Sequence, residues 1–149
     1  MLPVWLRRLI GILTLGGASV GVIAVIAGSF WTAPQPSTLL PGIVFLIAYV
    51  VGILIGTLLL EGHSASLKFA IPYWLAQIPV VSTYLVTYNF STGASVNISM
   101  GGNTQIFYGW LLGSTFNFGM LSDVTFAIGI NVVAIFIAFL LMRFSSEAL

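Results

Sequence analysis

Apolar residues gather in four long runs, separated by short polar breaks and by one long stretch of a different texture. Leu9 to Trp31 holds no charged residue and exceeds the roughly 20 residues a helix needs to cross a ~30 Å hydrocarbon core. Leu39 to Leu60 repeats the pattern; its Pro41 sits near the first turn, where a missing N–H has no helical partner to lose. Phe69 to Tyr88 is a third run and Val124 to Met142 a fourth. Pro72 falls near the start of the third run, whereas Pro79 lies well inside it and predicts a kink near the carbonyl of Leu75. Ser122 and Asp123 suit the N-terminus of the fourth, by capping and by placing negative charge at the positive end of the helix dipole. The pattern predicts an all-α integral membrane protein: one membrane domain, 1–149, with four transmembrane helices over 9–31, 39–60, 69–88 and 124–142.

The breaks between runs are short. Thr32 to Thr38 carries two prolines, which mark a tight connection, and Glu61 to Ser66 interrupts the hydrophobicity before Lys68. Arg7 and Arg8 ahead of the first run resemble the n-region of a signal peptide, with Ala27 and Ser29 as small residues for cleavage. The apolar run is longer than the 7–15 residues of a signal h-region, so an uncleaved anchor is expected.

The long stretch is 89–123, uncharged until Asp123. Ser95 to Met100 alternates polar with apolar, Gly101 and Gly102 offer positive-φ positions for a tight turn, and Asn103 to Tyr108 can return. Phe116, Phe118 and Met120 alternate with Thr115, Asn117 and Gly119. These features predict a small extracytoplasmic β-hairpin or meander between helices 3 and 4. A helical reading stands beside it, because Phe107, Trp110, Leu111, Ser114, Phe118 and Leu121 also share a helical face, as in an interfacial or re-entrant helix.

Charge sets the orientation. Only 5% of the 149 residues are charged and 59% are hydrophobic, against roughly 25% charged in soluble domains. With four spans, Arg7, Arg8, Lys68 and Arg143 fall on one side, which the positive-inside tendency makes cytoplasmic. Both termini are then cytoplasmic, in what is expected to be the plasma membrane, and the long stretch is outside. A net charge of +1 leaves no basic patch for nucleic acid.

In lipid, small residues that let backbones approach become the packing positions. Gly17, Gly21, Ala24 and Gly28 form one stripe in the first span, and Ala48, Gly52 and Gly56 another in the second. These faces are expected to meet as an antiparallel pair, or one of them to serve a homo-oligomer. Ala127, Asn131, Ala134 and Ala138 line one face of the fourth span. Gln77 in the third lies within about 5 Å of the depth of Asn131 at 1.5 Å per residue, and the two amides are expected to hydrogen-bond as an intramembrane polar pair.

Candidate chemistry is sparse. Glu61 and His63 are too few for a closed metal site or an acid–base pair, and no cysteine is present. Asn89-Phe90-Ser91 and Asn97-Ile98-Ser99 match the glycosylation pattern, a short pattern that arises often by chance. No cofactor, metal or catalytic residue is assigned. The expected function is that of a non-enzymatic accessory or assembly subunit, contacting lipid and another membrane protein or its own copies through helix faces and the outer stretch. The alternative is an oligomeric channel or facilitator for a neutral or small solute, with Gln77, Ser82, Thr83 and Asn131 in the pore.

Overall fold

The computed structural model describes residues 2–31, 36–63, 65–102, 104–120 and 125–146. Helix α1 (Val4–Val25) continues through a π-helical segment, Ile26–Trp31, and is followed by α2 (Pro36–Glu61) and α3 (Ser66–Leu75). Six strands come next: β1 (Pro79–Ser82), β2 (Val86–Ser91), β3 (Ala94–Gly101), β4 (Ile106–Leu112), β5 (Thr115–Met120) and β6 (Ala127–Asn131). Helix α4 (Val132–Ser146) is the last element among the described residues.

The fold is therefore α+β, with an antiparallel six-stranded sheet and 27% of the chain in strands. This overturns the expected all-α bundle of four transmembrane helices. Among the described residues, two helical segments, Val4–Trp31 and Leu39–Glu61, are long and apolar enough to cross a membrane. The expected third span, 69–88, divides into most of α3, all of β1 and the start of β2, and the expected fourth, 124–142, into β6 and much of α4. The cause is local. Helix α3 stops at Leu75, and the segment beyond Pro79 is rich in β-branched and aromatic residues (Val80, Val81, Val86, Thr87, Tyr88) that fit a pleated surface. Ser122 and Asp123, expected to cap the fourth span, lie outside the described residues, as do positions 32–35 of the first connection. Asn131 caps α4 instead: its Oδ1 accepts from the backbone N–H of Val133 at 3.2 Å and of Ala134 at 3.4 Å.

The expected small hairpin is enlarged into four of the six strands, β2 to β5. Pairing runs in one register from Val86↔Met120 to Ser91↔Thr115, and again from Ala94↔Leu112 to Met100↔Ile106. Gly113 N–H donates to Gly93 O across the gap at 2.9 Å, so β2–β3 and β4–β5 form one long hairpin bent in its middle. Both glycines at the bend have positive φ, +80° at Gly93 and +126° at Gly113, which a side chain would disfavour. The hairpin tip uses Thr104 (φ 58°) rather than Gly101 or Gly102 for its left-handed position, because the loop is longer than two residues. Gly101 N–H donates to Gln105 O at 2.9 Å.

Strands β1 and β6 pair with each other, β1 also with β2 and β6 with β3, giving the order β4-β3-β6-β1-β2-β5. Laid flat, the two edges of such a sheet would stand about 24 Å apart. Yet β4 and β5, those two edges, are joined by Gly113 and Ser114 alone, a link that reaches only about 10 Å. The sheet must therefore be rolled.

Helices α1 and α2 run antiparallel: a Cβ on Gly42 would meet the Ser29 side chain at 2.7 Å, and one on Gly62 would fall on the Arg7 guanidinium. Asn131 N–H donates to Ile78 O at 2.8 Å, so α4 leaves the sheet where α3 enters it. Ala134, Ile137, Ala138 and Leu141 of α4 are buried in the core together with Ala70 and Trp74 of α3.

Candidate functional site: the two faces of the rolled sheet

Following the cross-strand pairs around the sheet separates its side chains into two faces of opposite character. One face carries Val86, Tyr88 and Phe90 of β2, Val96, Ile98 and Met100 of β3, Ile106, Tyr108, Trp110 and Leu112 of β4, and Ile128 and Ile130 of β6. The other carries Thr87, Asn89 and Ser91, then Ser95, Asn97 and Ser99, with Asn117 and Asn131; only at its β4 margin does it turn apolar, with the exposed Phe107 and Leu111 opposite Ser99 and Ser95. Thr87, Ser91, Ser95 and Asn131 are buried while Val96, Ile98, Met100, Tyr108, Trp110, Ile128 and Ile130 are exposed. The polar face is thus the inner one. Soluble half-buried sheets do the reverse; apolar outside and polar inside is the arrangement of sheets that face lipid.

Part of the apolar face is covered by helices. Phe45 of α2 stacks on Phe90 and Phe116 with centroids 5.6 and 5.2 Å apart, and Tyr49 lies 5.2 Å from Phe90. Tyr49 Oη also donates to the backbone oxygens of Ser91 (3.3 Å) and Thr115 (2.9 Å), which pins α2 to the hairpin just before its bend. An apolar groove of about 480 Å³ runs beside this contact, lined by Leu40, Val44 and Ala48 of α2 and by Tyr88, Phe118 and Met120 of the sheet. It holds no charged group.

The bend creates a gap in the ladder, because β1 pairs with β2 only over 87–89 and β6 reaches β3 only from Asn97 onward. Buried amide side chains fill that gap. Gln77 Oε1 accepts from Thr92 N–H at 2.8 Å, its Nε2 donates to Tyr73 O at 3.3 Å, and Asn131 Oδ1 accepts from Val96 N–H at 3.3 Å. Gln77, Thr92 and Asn131 are each 0% exposed, where an unsatisfied backbone donor would be costly. Tyr73 Oη and Thr92 Oγ1 share a hydrogen bond of 2.9 Å. Burial pushes the Tyr73 phenol up to about 12, the Thr92 bond working against it, so Tyr73 stays neutral as a hydrogen-bonding group.

The expected polar pair is thus placed as two separate backbone anchors: Gln77 and Asn131 flank the same gap but bond to different backbone donors and not to each other. Of the small residues singled out, Gly52 accommodates the Tyr73 phenol of α3, with the Ala18 Cβ of α1 3.0 Å from where its own Cβ would stand, and Gly56 faces Leu15 of α1. Gly21 accommodates the ring of Tyr49. Gly17 does not face α2; a Cβ there would fall on the backbone of Gly93, and its carbonyl accepts from Ser114 Oγ at 2.6 Å. Gly28 has open space where a Cβ would be, and Ala24 is half-buried. Ala48 lines the groove, Ala127 lies in β6, and Ala134 and Ala138 are buried in the core. Ser82 ends β1 on the polar face, Thr83 holds the β1–β2 turn through Val86 (Oγ1 to O, 2.9 Å), and Gly101 ends β3 with Gly102 beyond it. Asn89 and Asn97, the glycosylation-pattern positions, point inward.

Sequence reasoning missed the bend at Gly93 and Gly113, Tyr49 and the inner serines. The available signal was the period-two alternation, which runs from Val86 to Met100 and from Ile106 to Met120 around one interruption at the bend. Glu61 and His63 stay apart from this site, exposed at the end of α2, where His63 Nδ1 accepts from Ala65 N–H at 3.3 Å. Among the described residues, no group of three His, Cys, Asp or Glu side chains is placed to hold a metal ion. Comparison with protein-family models, characterised proteins and solved structures finds no match.

Proposed function

We propose that this chain is a non-enzymatic subunit of a membrane assembly, anchored by α1 and α2 and joined to its neighbour through the free side of the rolled sheet. The observation that carries this reading is strand β4. Among the described residues it forms one edge of the sheet, hydrogen-bonded to β3 alone, all seven of its residues are exposed, and none is charged. Tyr108 and Trp110 are 76% and 77% exposed.

The argument is one of unmet backbone groups. Monomeric proteins protect a sheet edge with charge, proline or a bulge, and β4 has none of these. In a bilayer the demand is stricter, because an open edge leaves N–H and C=O groups with no water to satisfy them. The bend beside Leu112 rests on Gly17, near the middle of the segment Val4–Trp31, so this end of β4 sits at hydrocarbon depth if α1 spans the membrane. A strand from another subunit, in the simplest case β4 of a second copy, meets the demand. With Arg7 beside Gly62 and Lys68 just beyond, the basic end is assigned to the cytoplasm by the positive-inside tendency, with both termini on that side. The channel reading gains nothing from Gln77, whose amide is buried and spent on Thr92 and Tyr73.

The test is affinity purification in mild detergent, with stoichiometry measured by light scattering. The wild-type chain is expected in a complex of fixed composition, and Tyr108→Lys with Trp110→Lys should release it as a folded monomer that still unfolds cooperatively, at a lower melting temperature because the partner's stabilisation is lost. A wild-type chain that runs alone sinks the reading.

A further inference from the structure

The groove beside α2 is concave and offers no free polar side chain. Leu40, Val44 and Ala48 line it at four-residue spacing along one stripe of α2, and Tyr88, Phe118 and Met120 belong to its opposite wall. Tyr88 carries the one side-chain hydroxyl among the lining residues, and it is spent: Tyr88 Oη donates to Ala76 O at 2.6 Å. From Leu40 to Ala48 the groove runs about 12 Å at 1.5 Å per residue, close to the depth of one leaflet, half of a ~30 Å hydrocarbon core. A volume of about 480 Å³ over that length makes it about 7 Å across, whereas a helix with its side chains measures about 10–12 Å. A helix does not seat in it. An extended peptide would bring N–H and C=O groups that neither these walls nor lipid can satisfy. Hydrocarbon makes no such demand.

The two ends of the groove differ. Leu40 and Met120 are exposed at its mouth, while Phe90 is buried at the inner end, next to the Ser91 carbonyl on which Tyr49 is anchored. Phe45 and Phe90, both buried and stacked with centroids 5.6 Å apart, give it a floor that is already packed. Val44 leaves its long side open to the surroundings of α2. With α1 and α2 across the bilayer and the basic end in the cytoplasm, the mouth lies at the outer interface and the inner end toward the middle of the membrane. We propose that the groove binds one acyl chain of an outer-leaflet phospholipid, with the headgroup at Leu40 and Met120 and the chain end toward Ala48 and Phe90. Largely apolar walls and a volume in this range are those of small-molecule sites. The inference rests on the reading that α1 and α2 span the membrane, and not on the pairing of β4.

Photolabelling of the full chain tests the assignment, in nanodiscs of phosphatidylcholine doped with a phosphatidylcholine that carries a diazirine at one chain end, with adducts located by peptide mass spectrometry. In the nanodisc, adducts are expected both at Ile47, exposed on another face of α2, and in the groove around Ala48 and Phe90. When photolysis instead follows extraction into detergent and washing, the groove adduct should persist and the Ile47 adduct should not, with one lipid retained per chain. A diazirine placed next to the glycerol ester should move the groove adducts to Leu40 and Met120. Ala48→Phe should abolish the retained adduct; Val44→Phe, which fills the groove from the next turn, takes its place if that variant does not melt cooperatively. No adduct at Ile47 in the nanodisc would remove the membrane reading and this proposal with it. With Ile47 labelled, four results overturn the proposal alone: no groove adduct in the nanodisc, which means that protein covers the groove; a groove adduct that washes out with that of Ile47; one unchanged by the filling variant; or labelling in the reverse order of depth.

Discussion

Gln77 and Asn131 each answer for a backbone donor that no strand can reach, and each does so at 0% exposure. Replacing Gln77 by Leu strands the Thr92 N–H in a dry site, and an unsatisfied buried donor costs about 1–3 kcal/mol. Asn131→Leu removes the acceptor for Val96 and the cap of α4 together, so its penalty should be the larger, since losing a cap alone costs about 1 kcal/mol. Thermal unfolding in detergent measures both. The two side chains serve different donors, so the double variant should lose close to the sum of the single losses. A direct amide–amide bond would instead appear as a coupling energy in that cycle.

At the scale of elements, the close approach of α1 to the bent hairpin decides whether sheet and helices hold together. Gly17→Ala would drive a Cβ into the backbone of Gly93, which cannot move aside as a side chain can. A loss of at least about 3 kcal/mol is expected, at the upper end of overpacking costs. Its neighbour is the control: Gly16 is exposed and a Cβ there meets nothing within 4 Å, so Gly16→Ala should gain about 0.5–1 kcal/mol from helix propensity. The same elements show how much of the fold was legible. The first two apolar runs coincide with α1 and α2 because a continuous apolar run of that length has few other solutions. The runs at 69–88 and 124–142 misled because one face of each strand is apolar and the other is small, so mean hydropathy stays high while the period changes from 3.6 to 2. The inner face was hidden by composition: Ser, Thr and Asn read as loop residues in a soluble protein, and only an inverted sheet gives them an interior. Asn131 drew attention as a polar residue inside an apolar run, but its cross-strand partner Asn97 lies in a register that sequence spacing does not supply.

For the whole molecule, the question is whether helices and sheet share one membrane. Arg7 lies beside Gly62, and Lys68 and Arg143 stand about 15 and 18 Å along their helices from the Ile78–Asn131 junction, so the basic residues collect at one end of the fold. The β1–β2 turn belongs to the other end: Phe118 and Met120, which flank it through β5, line the groove with Leu40 and Pro41 at the start of α2. Tyr84 and Leu85 at this turn are exposed. The chain contains no cysteine, so single introduced thiols report position without background. In sealed inside-out vesicles, His63→Cys should react with a membrane-impermeant maleimide at once and Tyr84→Cys only after permeabilisation; right-side-out vesicles should reverse the order. Ile47→Cys, exposed on the outside of α2, should resist the reagent in both, because lipid rather than water covers it. If His63→Cys and Tyr84→Cys react from the same side, α1 and α2 do not cross. The apolar outer face of the sheet would then be covered by protein alone, and the lipid argument for pairing the β4 edge would lose its basis.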